Sequence, residues 1–283
     1  MGYTTIISAP ALAQHINDSK WIIFDCRFSL ADSEAGAKAY RFGHITGARY
    51  VHLDRDLSSA ITDFTGRHPL PDFKSLIQKL GRWGIDNASQ IVVYDDAGGA
   101  FAGRMWWLLR CLGHNRAAVL DGGIQQWRQQ GYPTTTALPS IKGSAFRAYL
   151  DDTLWLNALQ VQNGLSRKAI KLIDARTPER YRGEQEPIDP VAGHVPGALN
   201  RPFQLNLDAS GRFKAPDELR AGFSGLIGGA SPEQVVHMCG SGVTACHNLL
   251  AMEIAGLSGS RLYAGSWSEW IRNKNRPVAT GGE

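Results

Sequence analysis

Cysteine is scarce: 283 residues contain four, Cys26, Cys111, Cys239 and Cys246, and no two stand in C-x-x-C spacing. This argues against a disulfide-stapled scaffold and a thiolate zinc site, and suits a reducing compartment. Runs of one charge are also missing. Lys+Arg 30 against Asp+Glu 26 leaves a net charge of +4 spread along the chain. That leaves no footprint for nucleic acid, although a small anionic substrate is compatible with it. The most apolar segment, MWWLLRCLG from Met105 to Gly113, contains Arg110 and is too short to span a bilayer. The amino terminus lacks a charged stretch followed by a long apolar core, so no secretory signal is expected. Gly2 begins a myristoylation-like pattern, but Ile6 stands where Ser or Thr is needed. A cytoplasmic protein without a membrane partner is the expectation.

What is present is repetition, in blocks of one order. IVVYDDAGGAFA from Ile91 lies above QVVHMCGSGVTA from Gln234, which sets Asp96 against Cys239. DGGIQQW from Asp121 lies above AGSWSEW from Ala264, pairing Trp127 with Trp270. Upstream, IIFDCR from Ile22 resembles KLIDAR from Lys171, and GHITGAR from Gly43 resembles GHVPGAL from Gly193. The chain is a tandem duplication. Each half holds an apolar strand ending in Asp-x-Arg, a Gly-His turn, a helix and a second apolar strand. A Gly-containing loop, an apolar helix, a short strand and a Trp-bearing helix follow. Strands alternating with helices predict an α/β fold, two tandem domains each with a parallel sheet flanked by helices. The Pro-, Gly- and Thr-rich stretch from Gln129 to Gly143 reads as the joining segment. The expected domains are 1–140 and 141–283.

In such sheets ligands bind beyond the carboxyl ends of the strands, where Cys239 falls. A lone cysteine at a strand end is most often a small buried hydrophobe. In CGSGVT, however, Gly240 and Gly242 allow a loop that turns backbone N–H groups inward at a helix start. Such a nest favours a thiolate, and equally an anionic persulfide. The aligned aspartate of the first half cannot do thiol chemistry.

The loop CGSGVTA, both Gly-His-x-x-Gly-Ala turns, GSWSEW from Gly265 and the tandem halves resemble the two-domain rhodanese-type sulfurtransferases, over essentially the whole chain. A loop beginning Cys-Gly-Ser-Gly is similar to that of the 3-mercaptopyruvate branch; thiosulfate-preferring members typically carry basic residues at the places of Gly240 and Ser241. The resemblance implies Cys239 as nucleophile, a Cys239 persulfide, and a thiol, reduced thioredoxin or cyanide as acceptor. It implies two-step covalent catalysis without metal or organic cofactor. It further implies that Gly240, Gly242, Val243 and Thr244 line the sulfur, that Ser241, His68 and Asp54 form a proton relay, and that Arg180 clamps the substrate carboxylate. His68 bracing a loop, Asp54 capping a helix and Arg180 as solvated surface charge are the plainer alternatives. A second clamp arginine is expected after Glu186-Pro187, but Ile188 occupies its place, and Arg182 is the candidate substitute. Loop and clamp therefore disagree over mercaptopyruvate versus thiosulfate.

His44 and His194 are expected to bond locally, the Asp25–Arg27 and Asp174–Arg176 pairs to be structural, and Trp267 and Trp270 to close the core or pocket wall. Cys26, Cys111 and Cys246 read as buried, with Cys246 about two helical turns beyond Cys239. A cysteine phosphatase would need arginine where Ala245 stands. A catalytically silent rhodanese module for protein binding or sulfur sensing is the rival of another class.

Overall fold

The computed structural model describes residues 2–282. The chain forms two compact units: Met1–Ser59 with Leu70–Asp151 and Ala209–Phe213, and Ala60–Pro69 with Asp152–Asp208 and Lys214–Glu283.

In the first unit five parallel strands lie in the order Ile6–Ile7, Ala117–Leu120, Gln90–Tyr94, Trp21–Asp25, Arg49–Tyr50. The central strand QIVVY is buried along its whole length, as continuous apolar runs in helix-covered parallel sheets are. Its core joins Ile23, Val92, Tyr94, Ala118 and Leu120 to Ile124 and Trp127. Residues 144–151 run along this unit, where Ser144 N–H donates to Gly81 O and Tyr149 N–H to Leu112 O.

The second unit repeats the pattern. Its parallel strands lie in the order Trp155–Leu156, Arg261–Tyr263, Val235–Met238, Lys171–Asp174, Leu199–Asn200. Val236, Met238, Leu172 and Tyr263 pack with Trp267 and Trp270 in one core. The duplication read from four sequence blocks is therefore a duplication of sheet order.

Three strands per half follow from apolar runs; each sheet adds two more of only two residues. Pairs that short carry no alternation, so pattern alone does not reveal them. The helix expected after the Gly-His turn of each half runs as Phe73–Arg82 in the first unit and Pro216–Ile227 in the second. Asp72 caps the first, accepting from Ser75 N–H at 2.8 Å.

The Gly-His turns are structural in both units. His44 stacks on Tyr40 and its Nδ1 bonds to Tyr40 O, while His194 does the same with Tyr181. Both Asp-x-Arg pairs are buried, and their arginines reach back to the turn: Arg27 to Gly43 O, Arg176 to Gly193 O. All four cysteines are buried. Burial, with Asp25 nearby, pushes the Cys26 thiol well above its ordinary range, as befits a core residue.

The strand register corrects one sequence pairing. Tyr94 lies against Asp25 as Met238 lies against Asp174, so Asp95, not Asp96, stands where Cys239 stands. The carbonyls agree: Asp95 O accepts from Ile124 N–H, Cys239 O from Trp267 N–H. The first loop is one residue longer before its helix, and an ungapped sequence match places the difference on the wrong side of the aspartate.

Candidate active site

The strand Val235–Met238 delivers Cys239 to the carboxyl edge of the second sheet, and the helix Ala245–Ile254 leaves on the far side of the loop. Trp267 N–H donates to Cys239 O and Ser268 N–H to Gly240 O, while Cys239 N–H donates to Ser266 Oγ. These bonds tie the loop to the segment following the strand Arg261–Tyr263. Gly242 takes φ +76, and a Cβ there would lie 2.2 Å from Ala264 O. Only glycine fits that turn. In this conformation Gly242 N–H donates to Cys239 Sγ at 3.1 Å, a contact that favours negative charge on sulfur. Gly240 is absent from the positive-φ glycines; a Cβ on it would lie 2.7 Å from Arg67 Nη2, the far end of a flexible side chain, so a larger residue there would displace that guanidinium.

Cys239 has 2% of its surface exposed, and Ser241 and His68 have 5% each. His68 Nδ1 and Ser241 Oγ are 2.7 Å apart. Although His68 lies in the first half of the sequence, its segment Ala60–Pro69 belongs to the second unit, which brings the imidazole onto the cysteine loop. Asp54 lies in the first unit, exposed within the short helix Leu53–Asp56. The cap of that helix is His52, whose Nδ1 accepts from Asp54 and Arg55 N–H. Val243 is buried and Thr244 half-buried; their carbonyls accept from Cys246 and His247 N–H as the helix starts.

A chain of alternating charges flanks the loop. Arg176 pairs with Asp174 and Glu186, Arg180 with Glu186 and Asp189, and Arg67 with Asp189. Burial disfavours the Arg176 charge, but Asp174, Glu186 and Cys239 outweigh it and raise the pKa above the ordinary arginine value. Burial likewise opposes the Glu186 charge, yet hydrogen bonds from Arg180 and the Asp189 amide hold its carboxyl below the ordinary glutamate range. Arg180 sits beside the loop, 3.6 Å from where a Gly240 Cβ would lie. Arg182 instead forms a surface pair with Glu184, at 2.7 Å and 2.9 Å. Ile188 is partly exposed, its N–H donating to Glu186 Oε1. Arg67, the sequence neighbour of His68, is the other guanidinium beside Gly240.

The first loop is occupied by its own side chain. Asp95 Oδ1 accepts from Ala97 and Gly99 N–H and Oδ2 from Phe101 and Ala102 N–H, all at 2.8–2.9 Å. The backbone cradle survives in the first unit, but a carboxylate fills it. No cluster of His, Cys, Asp or Glu that could hold a metal occurs among the described residues, and no helix there is long and apolar enough to cross a membrane.

The rhodanese-like domain family matches residues 8–130 and 157–273. A probable 3-mercaptopyruvate sulfurtransferase of Pseudomonas aeruginosa is 46% identical over 283 residues, covering 99% of this chain and 100% of that protein. The thiosulfate sulfurtransferase of Rattus norvegicus is 33% identical, covering 95% of this chain and 93% of its own length. The crystal structure of SseA from Escherichia coli, a 3-mercaptopyruvate sulfurtransferase, superimposes with a TM-score of 0.81 at 30% identity, covering 94% of this chain and 100% of that one. A family match in each half, a relative aligned from end to end and a duplicated sheet carrying one cysteine loop lead to one assignment: the chain belongs to the rhodanese family.

Proposed function

We propose that this protein is a sulfurtransferase that takes a sulfane sulfur from 3-mercaptopyruvate onto Cys239 and passes it to a thiol, reduced thioredoxin or cyanide. The single observation that carries the proposal is the loop itself, with Gly242 N–H on Cys239 Sγ at 3.1 Å and the Ser241–His68 pair beside it at 2.7 Å. The Cys239 thiolate attacks the mercaptopyruvate sulfur, forming the S–S bond as the C–S bond breaks. The electron pair of that bond goes to carbon as the pyruvate enolate, which takes up a proton and leaves as pyruvate. Ser241 and His68 hold and deliver that proton. Arg180 meets the substrate carboxylate. The acceptor then attacks the outer sulfur and restores the Cys239 thiolate, which makes the kinetics ping-pong.

A second substrate has its own support. Guanidinium groups beside Gly240 would attract thiosulfate as well, so thiosulfate:cyanide transfer is the alternative. The uncharged Gly240 and Ser241 favour mercaptopyruvate, because thiosulfate-preferring relatives typically place cations there.

Intact mass measurement after exposure to 3-mercaptopyruvate tests the reading directly. One added sulfur is expected, removed by cyanide and missing in Cys239→Ser. In steady state kcat/KM for mercaptopyruvate should exceed that for thiosulfate by about tenfold or more, the weight of one well-placed polar interaction. The reverse order would make thiosulfate the donor, and no added mass with either donor would leave a binding module.

A further inference from the structure

We propose that the first unit holds a binding site of its own, for a small organic anion with a carboxylate or phosphate head and an apolar body. The site is a cavity of about 510 Å³ at the amino end of the strand Trp21–Asp25, with Arg49 in its wall. The Asp95 loop leaves the same sheet at the opposite, carboxyl end of the strand Gln90–Tyr94, and Cys239 belongs to the other unit.

Arg49 is half-buried and begins the edge strand Arg49–Tyr50. Its Nε is buried and meets no hydrogen-bond partner among the described residues. Its Nη2 reaches Gly84, another wall residue, lying 3.5 Å from where a Cβ on that glycine would stand. Burial pulls the Arg49 pKa below the ordinary arginine value, opposed only by Tyr40. Arg27 of the same unit is, by contrast, paired with Asp25. The one carboxylate in the cavity wall, Asp18, is exposed and accepts from Lys20 N–H at 2.9 Å. A guanidinium withdrawn from water without a counter-charge is costly. An incoming carboxylate or phosphate supplies the missing partner through a charge-assisted fork.

The duplication shows that the fold does not ask for this cation. Arg49 stands against Phe24 in the first sheet as Leu199 stands against Ile173 in the second, each one step before the aspartate of Asp-x-Arg. The second unit has a smaller cavity, about 300 Å³, beside its own Gly-His turn at Val195 and Pro196, and no charged residue lines it. A leucine serves at this strand position, so the charge in the first unit is extra to the fold.

The rest of the wall defines the body of the ligand. The volume exceeds what an inorganic oxyanion fills and lies in the range of small-molecule pockets. Ile16, Trp21 and Leu138 give apolar sides, and Lys142 adds a second, exposed cation to the lining. Trp21 is stacked on His15 with ring centroids 3.9 Å apart, which orders that side before a ligand arrives.

The ¹H–¹⁵N spectrum of the full chain reads the site through Arg49 Nε–H and the Trp21 indole N–H, assigned with Arg49→Leu and Trp21→Phe. Benzoate and phenyl phosphate are the probes, with benzyl alcohol as the neutral control and inorganic phosphate as a head without a body. Either anionic probe should move both resonances saturably and benzyl alcohol should not; the tighter anion identifies the head. Inorganic phosphate should bind at least about tenfold more weakly than the tighter probe, because it leaves the apolar sides uncovered. In Arg49→Leu the affinity, followed at the Trp21 indole, should fall by at least about tenfold, the size of one charge-assisted hydrogen bond. The urea midpoint of that variant without ligand should equal or exceed that of the wild type, as leucine already serves in the second unit. Arg180→Gln, altered beside the cysteine loop, should bind the probes as the wild type does, and a parallel loss there would move the anion to that loop and overturn the site. No saturable shift with either anion up to about 50 mM, unchanged affinity in Arg49→Leu, or a lowered midpoint in that variant would each overturn it too. Inorganic phosphate binding as tightly as the probes would sink the organic ligand.

Discussion

Two glycines in one loop serve different physical ends. Gly242 is a conformational requirement, with φ +76 and Ala264 O closing over its α-carbon. Gly240 needs no special backbone conformation, and a Cβ there would only displace the end of the Arg67 side chain. Gly242→Ala should therefore lower the unfolding free energy by at least about 2 kcal/mol, from left-handed strain and the backbone clash. It should also slow persulfide formation, because the N–H on Cys239 Sγ must move; urea unfolding and single-turnover mass measurement read the two effects. A protein that unfolds like the wild type would show that the loop can take another path. Cys239 and the glycine-rich loop were legible from residue order alone. The partnership of Arg67 with Asp189 was not, since 122 residues separate them and neither motif refers to the other.

The same element, strand then loop then helix, appears twice with different contents. In the second unit the loop amide of Gly242 faces a sulfur; in the first, four N–H groups are satisfied by Asp95. Removing that carboxylate orphans buried donors, so Asp95→Ala should cost about 2–4 kcal/mol. The measurement is the denaturant midpoint of the first unit, and a loss below about half a kcal/mol would mean that water replaces the carboxylate at no cost. Asp96, which the ungapped alignment singled out, is exposed and is expected to be replaceable by Asn with little effect. The helices with clear apolar periodicity were legible in the sequence. The two-residue edge strands were not, because their pairing comes from neighbours rather than from local pattern.

For the molecule as a whole, one buried histidine links stability to pH. His237, on the central strand of the second sheet, is fully buried, with Nε2 3.1 Å from Met252 Sδ. Burial, with Arg201 nearby, lowers its pKa from 6.5 to about 3. The folded protein thus holds His237 neutral at pH values where the unfolded chain binds a proton. The stabilisation is complete above 6.5 and drains away as pH falls toward 3. By pH 5 the loss amounts to about 2 kcal/mol. Replacing the imidazole by a neutral side chain, as in His237→Asn, should remove that increment from the difference between unfolding at pH 7.5 and pH 5. An equal pH dependence in both proteins would contradict a neutral buried imidazole.

The sequence by itself determined the duplication, the parallel α/β class, the single retained cysteine and its loop, because these reside in local order and short-range spacing. Tertiary structure alone decided which arginine stands beside Gly240, which aspartate occupies the place of Cys239, and that Ala60–Pro69 carries His68 to Ser241. Contacts across long stretches of chain depend on how strands register and where a crossing segment comes to rest. Those outcomes follow from packing the whole chain, and no short window of residues contains them.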